Sequence, residues 1–166
     1  KEFLNRVYTN NFDTLNPCNC RYGLMMKEDR MIFDDAVCAC ISKDHYLIHT
    51  TTGGAANVLA WLELWKQTEW PDLDVFLTSV TDAWATSTIS GPNSRKLIQK
   101  LCSDIDFNND NFKFMEWKQG LIAGIEARIF RVSFTGELSF EINVPSNFGL
   151  YIWNKLIEAG AEFDIT

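Results

Sequence analysis

Long apolar runs are absent from this chain. No stretch of the 166 residues approaches the roughly 18 consecutive apolar side chains a membrane-spanning helix needs. Nothing near Lys1 has the charged and apolar pattern of a signal peptide. Positive charge is scarce: 15 Lys and Arg face 22 Asp and Glu, for a net charge of −7. Nucleic-acid affinity comes mainly from phosphate neutralisation by Lys and Arg, so a nucleic-acid partner is not expected. There is no Gly-x-Ser-x-Gly, no Cys–His nucleophile pattern, no dinucleotide fingerprint and no internal repeat. An evident hydrolase is thereby excluded.

Cysteine is present, but in the wrong number and spacing for two common uses. Five residues form two Cys-x-Cys pairs, Cys18/Cys20 and Cys38/Cys40, and a single Cys102. A secreted disulfide scaffold would be smaller and denser in cysteine. Structural zinc prefers Cys-x(2–4)-Cys knuckles, whereas Cys38 and Cys40 lie in an apolar strand with Ala36. No metal site is expected, and reduced thiols in a cytoplasm fit best. The 46% hydrophobic and 22% charged content is ordinary for a globular protein. Phe3, Leu4 and Val7 look like the back half of an amphipathic helix, and the far end stops abruptly at Phe163–Thr166. A piece of a longer polypeptide is the expectation.

The pattern along the chain predicts an α+β fold of two units, each an antiparallel sheet with packed helices. Strands at 21–27, 31–41 and 45–51, joined by polar turns, read as a meander. Gly53-Gly54 opens a helix with Ala55, Val58, Leu59, Leu62 and Trp65 on one stripe, ended by Trp70-Pro71. A strand at 75–79 completes a first unit, 1–79. In the second, 80–166, a strand at 83–90 leads through Gly91-Pro92 into a helix at 93–102, with proline at its first position. Strands at 114–118, 127–133 and 138–144 follow. A final helix runs from an N-capping Ser146 to about residue 158, before Gly160.

Three places could carry chemistry. Alternation along 31–41 puts Asp35 on the face of Met31, Phe33, Val37, Ala39 and Ile41, and Asp34 on the other with Ile32, Ala36, Cys38 and Cys40. A carboxylate in an apolar row has either a cationic partner or a raised pKa, and the second case marks a functional site. His45 and His49 share a strand face about 13 Å apart, too far for one metal. Phe134-Thr135-Gly136-Glu137 reads as the turn of a hairpin whose second strand shows Ser139, Glu141 and Asn143 on one face. Glu141 there is either a solvated side chain or a pair of acceptors for a flat ligand with adjacent N–H groups.

Several segments then carry a resemblance. Thr50-Thr51-Thr52-Gly53, Trp61-Leu62-Glu63, Gln67-Thr68-Glu69-Trp70-Pro71-Asp72-Leu73-Asp74-Val75, Leu77-Thr78-Ser79-Val80-Thr81, Ser90-Gly91-Pro92 and Phe134 to Pro145 resemble the folate-dependent aminomethyltransferase family. Glycine-cleavage T-proteins are its best-known members. The Gln67–Asp74 run is similar to its oxidase branch, the C-terminal regions of heterotetrameric sarcosine oxidase alpha subunits. The likeness covers essentially the whole chain.

What it implies is specific. The family fold is a three-lobed ring around a tetrahydrofolate channel, of which this chain would supply one lobe and much of another. The essential carboxylate matches Asp35, the pterin-clamping glutamate Glu141, and an aromatic residue at the pterin Tyr22, with contacts from His49 and Thr51. The implied reaction moves the methylene unit of oxidised sarcosine to tetrahydrofolate, giving 5,10-methylenetetrahydrofolate and glycine. FAD, FMN and NAD would sit elsewhere in the full enzyme, among other subunits of a hetero-oligomeric oxidase. The isolated piece is expected to be inactive. The alternatives are a T-protein-like aminomethyltransferase or other folate-dependent demethylase, and a non-catalytic folate-binding or scaffold domain. Three positions depart from the family pattern: Phe134 replaces a frequent Tyr, Arg30-Met31 stand where many members have Gly-Gly, and Thr51 replaces the Asn of T-proteins.

Overall fold

The computed structural model describes residues 1–165 and divides the chain into two compact units, the first Lys1–Thr81 and the second beginning at Asp82. The expected boundary lay at 79/80; Thr166, the last residue of the second expected unit, lies outside the described residues.

In the first unit the order is α1 (Glu2–Val7), β1 (Cys20–Met26), β2 (Ile32–Ser42), β3 (His45–His49) and α2 (Ala55–Thr68), with one 3₁₀ turn, Thr52–Gly54, before α2. The strands form an antiparallel sheet in the order β1-β2-β3. Phe3, Leu4 and Val7 of α1 and Val58 and Leu62 of α2 share one core with Met25 of β1 and Ala36, Cys38 and Cys40 of β2. The three β2 residues are small, which lets helices approach the sheet backbone closely. Burial there pushes the Cys38 thiol up to about 12, and none of the five cysteines is in a disulfide.

The β1–β2 turn accounts for one departure from the family pattern. The Arg30 N–H bonds to the Lys27 carbonyl at 2.9 Å and the Lys27 N–H to that of Met31 at 3.0 Å. Such a three-residue hairpin loop ends on a left-handed residue. Arg30 takes that conformation at φ 67°.

The strand expected at 75–79 does not form. Its alternation is real, since Val75 and Leu77 pack on the first core while Phe76 is 91% exposed. The segment has no neighbouring strand to bond with, so it remains irregular.

The second unit runs β4 (Trp84–Ser90), α3 (Ser94–Leu101), β5 (Trp117–Ile122), β6 (Ile125–Phe130), β7 (Ser139–Pro145) and α4 (Gly149–Gly160). Its antiparallel sheet is ordered β4-β7-β6-β5. Phe140, Ile142 and Val144 point into a core with Ile129, with Leu97 and Ile98 of α3, and with Ile152 and Leu156 of α4. Phe107, Phe112 and Phe140 meet there with ring centroids 5.5–5.9 Å apart.

Four local expectations shift. β5 lies at 117–122 rather than 114–118, because its partner is fixed by the tight turn at Ala123-Gly124, where both residues have positive φ. α3 begins at Ser94 with Asn93 before it, so Pro92 lies outside the helix and not at its first position. Ser146 opens a single 3₁₀ turn ahead of α4 instead of capping it, and α4 continues through Gly160. β6 ends at Phe130, so the connection to β7 is the eight residues 131–138, not a Thr-Gly-Glu turn. Arg131 leaves the β6–β7 ladder because its backbone pairs with Met115 and Glu116 instead.

Candidate functional site

The two neighbouring carboxylates of β2 end on opposite faces, and the buried one is Asp34. Its exposure is 4%, in line with Ala36, Cys38 and Cys40 at 0–2%, whereas Phe33, Asp35 and Val37 are half-buried. The expectation that Asp35 lies in an apolar, buried row is therefore corrected. Both rows are apolar in sequence, but the helices press on the row of small residues.

Asp35 occupies the other face. Its Oδ2 accepts a hydrogen bond of 2.8 Å from the Tyr22 hydroxyl. That bond, more than any burial, raises the Tyr22 pKa above its ordinary value. In register, Tyr22 pairs with Val37 and Val37 with His49, so these three form one row across the sheet, two residues along β2 from Asp35. Of the four residues expected in this unit, three thus share a face: Asp35, Tyr22 and His49.

Thr51 is engaged elsewhere. Its hydroxyl donates to Asp34 Oδ1, and its N–H donates to the same oxygen at 3.3 Å. The Thr51 carbonyl in turn accepts the Gly54 N–H at 3.0 Å, which starts the turn into α2. A Cβ on Gly54 would lie 2.6 Å from Thr51 Oγ1 and 3.2 Å from Asp34 Oδ1, so only glycine fits against this clamp. Asp34 Oδ2 and the Tyr8 hydroxyl are both buried without a hydrogen-bond partner. Burial, with the charges of Cys38 and Asp34, drives the Tyr8 pKa strongly upward. The sequence reading missed the Asp34–Thr51–Gly54 clamp; the small size of the residues flanking Asp34 was the available signal.

In the second unit Glu141 stands out by access. From Ser139 to Val144 it alone is not buried. Across the sheet it pairs with Thr88 on β4 and Phe130 on β6. The Phe130 ring stacks on Trp117 at 6.0 Å, so a carboxylate lies beside two parallel rings on a rigid strand. Ser139 bonds to Ser90 at 2.9 Å and Asn143 to Thr86 at 3.0 Å, both on β4. The remaining face is therefore tied down around Glu141 rather than solvated. Among the described residues, no cluster of His, Cys, Asp or Glu is arranged to hold a metal ion.

The family model described as the GCVT N-terminal domain matches residues 1–166. The sarcosine oxidase alpha subunit of Corynebacterium sp. strain U-96 is 55% identical over 99% of this chain, which spans 17% of that relative's length. Among solved structures, the glycine cleavage system aminomethyltransferase T from Bartonella henselae superposes with a TM-score of 0.77 at 19% identity, over 94% of this chain and 40% of that one. A chain of the heterotetrameric sarcosine oxidase from Corynebacterium sp. U-96, in complex with pyrrole 2-carboxylate, gives 0.65 at 18% identity, over 90% and 69%. At such identities the two structures speak for the fold alone, which is the aminomethyltransferase α+β architecture. With its whole length matched, the chain belongs to the family of the GCVT N-terminal domain.

Proposed function

We propose that this chain is part of a folate-dependent one-carbon transfer region, serving an oxidase that acts on sarcosine. The observation that carries the reading is the Tyr22–Asp35 pair on the open sheet face, within a chain matched along its whole length by the family. Tetrahydrofolate, when bound, supplies the amine nitrogens that accept the methylene unit from oxidised sarcosine. The residues fit that group: Glu141 places a carboxylate at the one position from Ser139 to Val144 that is not buried, beside the Phe130–Trp117 rings. A carboxylate can bind the pterin 2-amino and N3 hydrogens side by side, which orients the ring.

Asp35 has a different task. Its Oδ2 is held by Tyr22, leaving Oδ1 to accept an amine proton or to stabilise positive charge as the one-carbon unit moves. Flavin chemistry and the partner subunits belong to the remainder of such an oxidase.

The test uses the full-length protein. Asp35→Asn is expected to keep tetrahydrofolate affinity and lose product formation with sarcosine, whereas Glu141→Gln weakens binding by about tenfold, the effect of one lost charged hydrogen bond. Two variants indistinguishable from the parent would overturn these roles.

A further inference from the structure

Asn143 is 5% exposed, and its Nδ2 is buried with no hydrogen-bond partner. Its Oδ1 accepts from Thr86 Oγ1, which fixes the amide plane and turns Nδ2 away from β4. Buried donors are almost always paired, so an orphan needs a physical account. This one lies two residues from Glu141 on the same strand face, about 7 Å along β7. Arg128 sits opposite Asn143 on β6, and its guanidinium lies 4.3 Å over the Trp84 ring on β4. The Arg128–Trp84 pair therefore crosses β7 beside Asn143, and rotation of one long side chain uncovers the amide.

We propose that Asn143 is a specificity-determining residue, donating from Nδ2 to a ring carbonyl next to the N–H groups bound by Glu141. The face then reads a donor–donor–acceptor edge, and Thr86 is the positioning residue for the amide. This rests on the folate reading above and narrows it to 4-oxo pterins. A 2,4-diaminopteridine has an amino group where the carbonyl stands and no hydrogen on N3, so it presents a donor to Asn143 and an acceptor to Glu141.

The experiment compares equilibrium binding of tetrahydrofolate and of a 2,4-diamino tetrahydropteridine analogue to the full-length protein. The parent is expected to favour the 4-oxo ligand. Asn143→Ala lowers affinity for that ligand about tenfold without lowering that for the 4-amino ligand, so the preference falls by that factor and the share set by Glu141 at N3 remains. Asn143→Asp, with an acceptor in place of the donor, shifts the preference toward the 4-amino ligand. Thr86→Val, which leaves Asn143 in place, reduces the same preference by a smaller factor. An unaltered ratio in all three variants overturns the inference. If that occurs while Glu141→Gln still weakens tetrahydrofolate binding, the folate reading stands without it. Absence of binding of either ligand to the parent defeats both.

Discussion

The adjacent residues Asp34 and Asp35 should fail in opposite ways when removed. Asp34 Oδ1 holds the Thr51 hydroxyl and N–H. Hydrogen bonds to a charged group contribute about 1.5–3 kcal/mol, and their loss in Asp34→Ala leaves two donors part-buried. Against this stands the cost of burying a carboxylate with Oδ2 unpaired. We therefore expect a net loss of about 2 kcal/mol for Asp34→Ala and under about 1 kcal/mol for Asp34→Asn, which retains an acceptor at Oδ1. Asp35 is half-buried on the open face, and its single bond to Tyr22 contributes under about 1 kcal/mol. With urea slopes of about 1–3 kcal/mol per molar, Asp34→Ala should lower the unfolding midpoint by about 1 M and Asp35→Ala by far less. Trp61, Trp65 and Trp70 lie in the first unit, so tryptophan fluorescence follows the transition. Amide exchange at Thr51 supplies the local readout and should quicken only in the Asp34 variants. Equal midpoints for Asp34→Ala and Asp35→Ala would refute the opposed placement of the two carboxylates.

Arg30→Gly should stabilise the protein by about 0.5–1 kcal/mol, because an L-residue at φ 67° loses about 1–2 kcal/mol and glycine's unfolded-state freedom returns part of it. Chemical denaturation checks this, and a lower stability would mean that the Arg30 side chain contributes more than its backbone costs. Tyr22 should titrate above 10 because its hydroxyl donates a hydrogen bond to the Asp35 carboxylate, and Asp35→Asn should bring it back toward 10, as followed by NMR of ¹³C-labelled tyrosine. The sign is that of a raised folded-state pKa: the bond's contribution is complete below pH 10 and disappears as pH climbs through the folded value. A midpoint unmoved by the substitution would show that the Tyr22–Asp35 bond is not populated in solution.

Much of the fold is legible because period-two alternation and turn residues are local signals. The meander of the first unit, α2, and the inward row Phe140, Ile142 and Val144 follow directly from them. Failures occur where a strand depends on a distant partner. Val75 and Leu77 alternate inward correctly but meet no neighbouring backbone. Likewise Phe130 and Val132 carry the apolar rhythm of β6 past Arg131, yet the Arg131 N–H bonds to the Glu116 carbonyl and its own carbonyl accepts the Met115 N–H, which opens the connection to β7. Alternation reports which side is inside; it does not report hydrogen-bond partners.

The candidate site shows the same division. Which residues share a face with Asp35 was readable, and Tyr22 and His49 join it through register. Which face is buried was not, because hydrophobic character was equal on the two sides of β2. Size breaks the tie: the small residues Ala36, Cys38 and Cys40 are buried in the core with α1 and α2, while on the other row Phe33 and Val37 stay half-buried and only Ala39, itself small, is buried. The consequence is functional. A carboxylate buried beneath two helices and clamped by Thr51 can shape the turn into α2, but it cannot meet a ligand. The one we propose for that role is its neighbour, displaced by a single residue to the half-open face and bonded there to Tyr22. A one-residue slip of β2 would exchange these roles, and the register of Leu24 with Asp35 and Met25 with Asp34 opposes that slip by seating Met25, fully buried, in the helix-covered core.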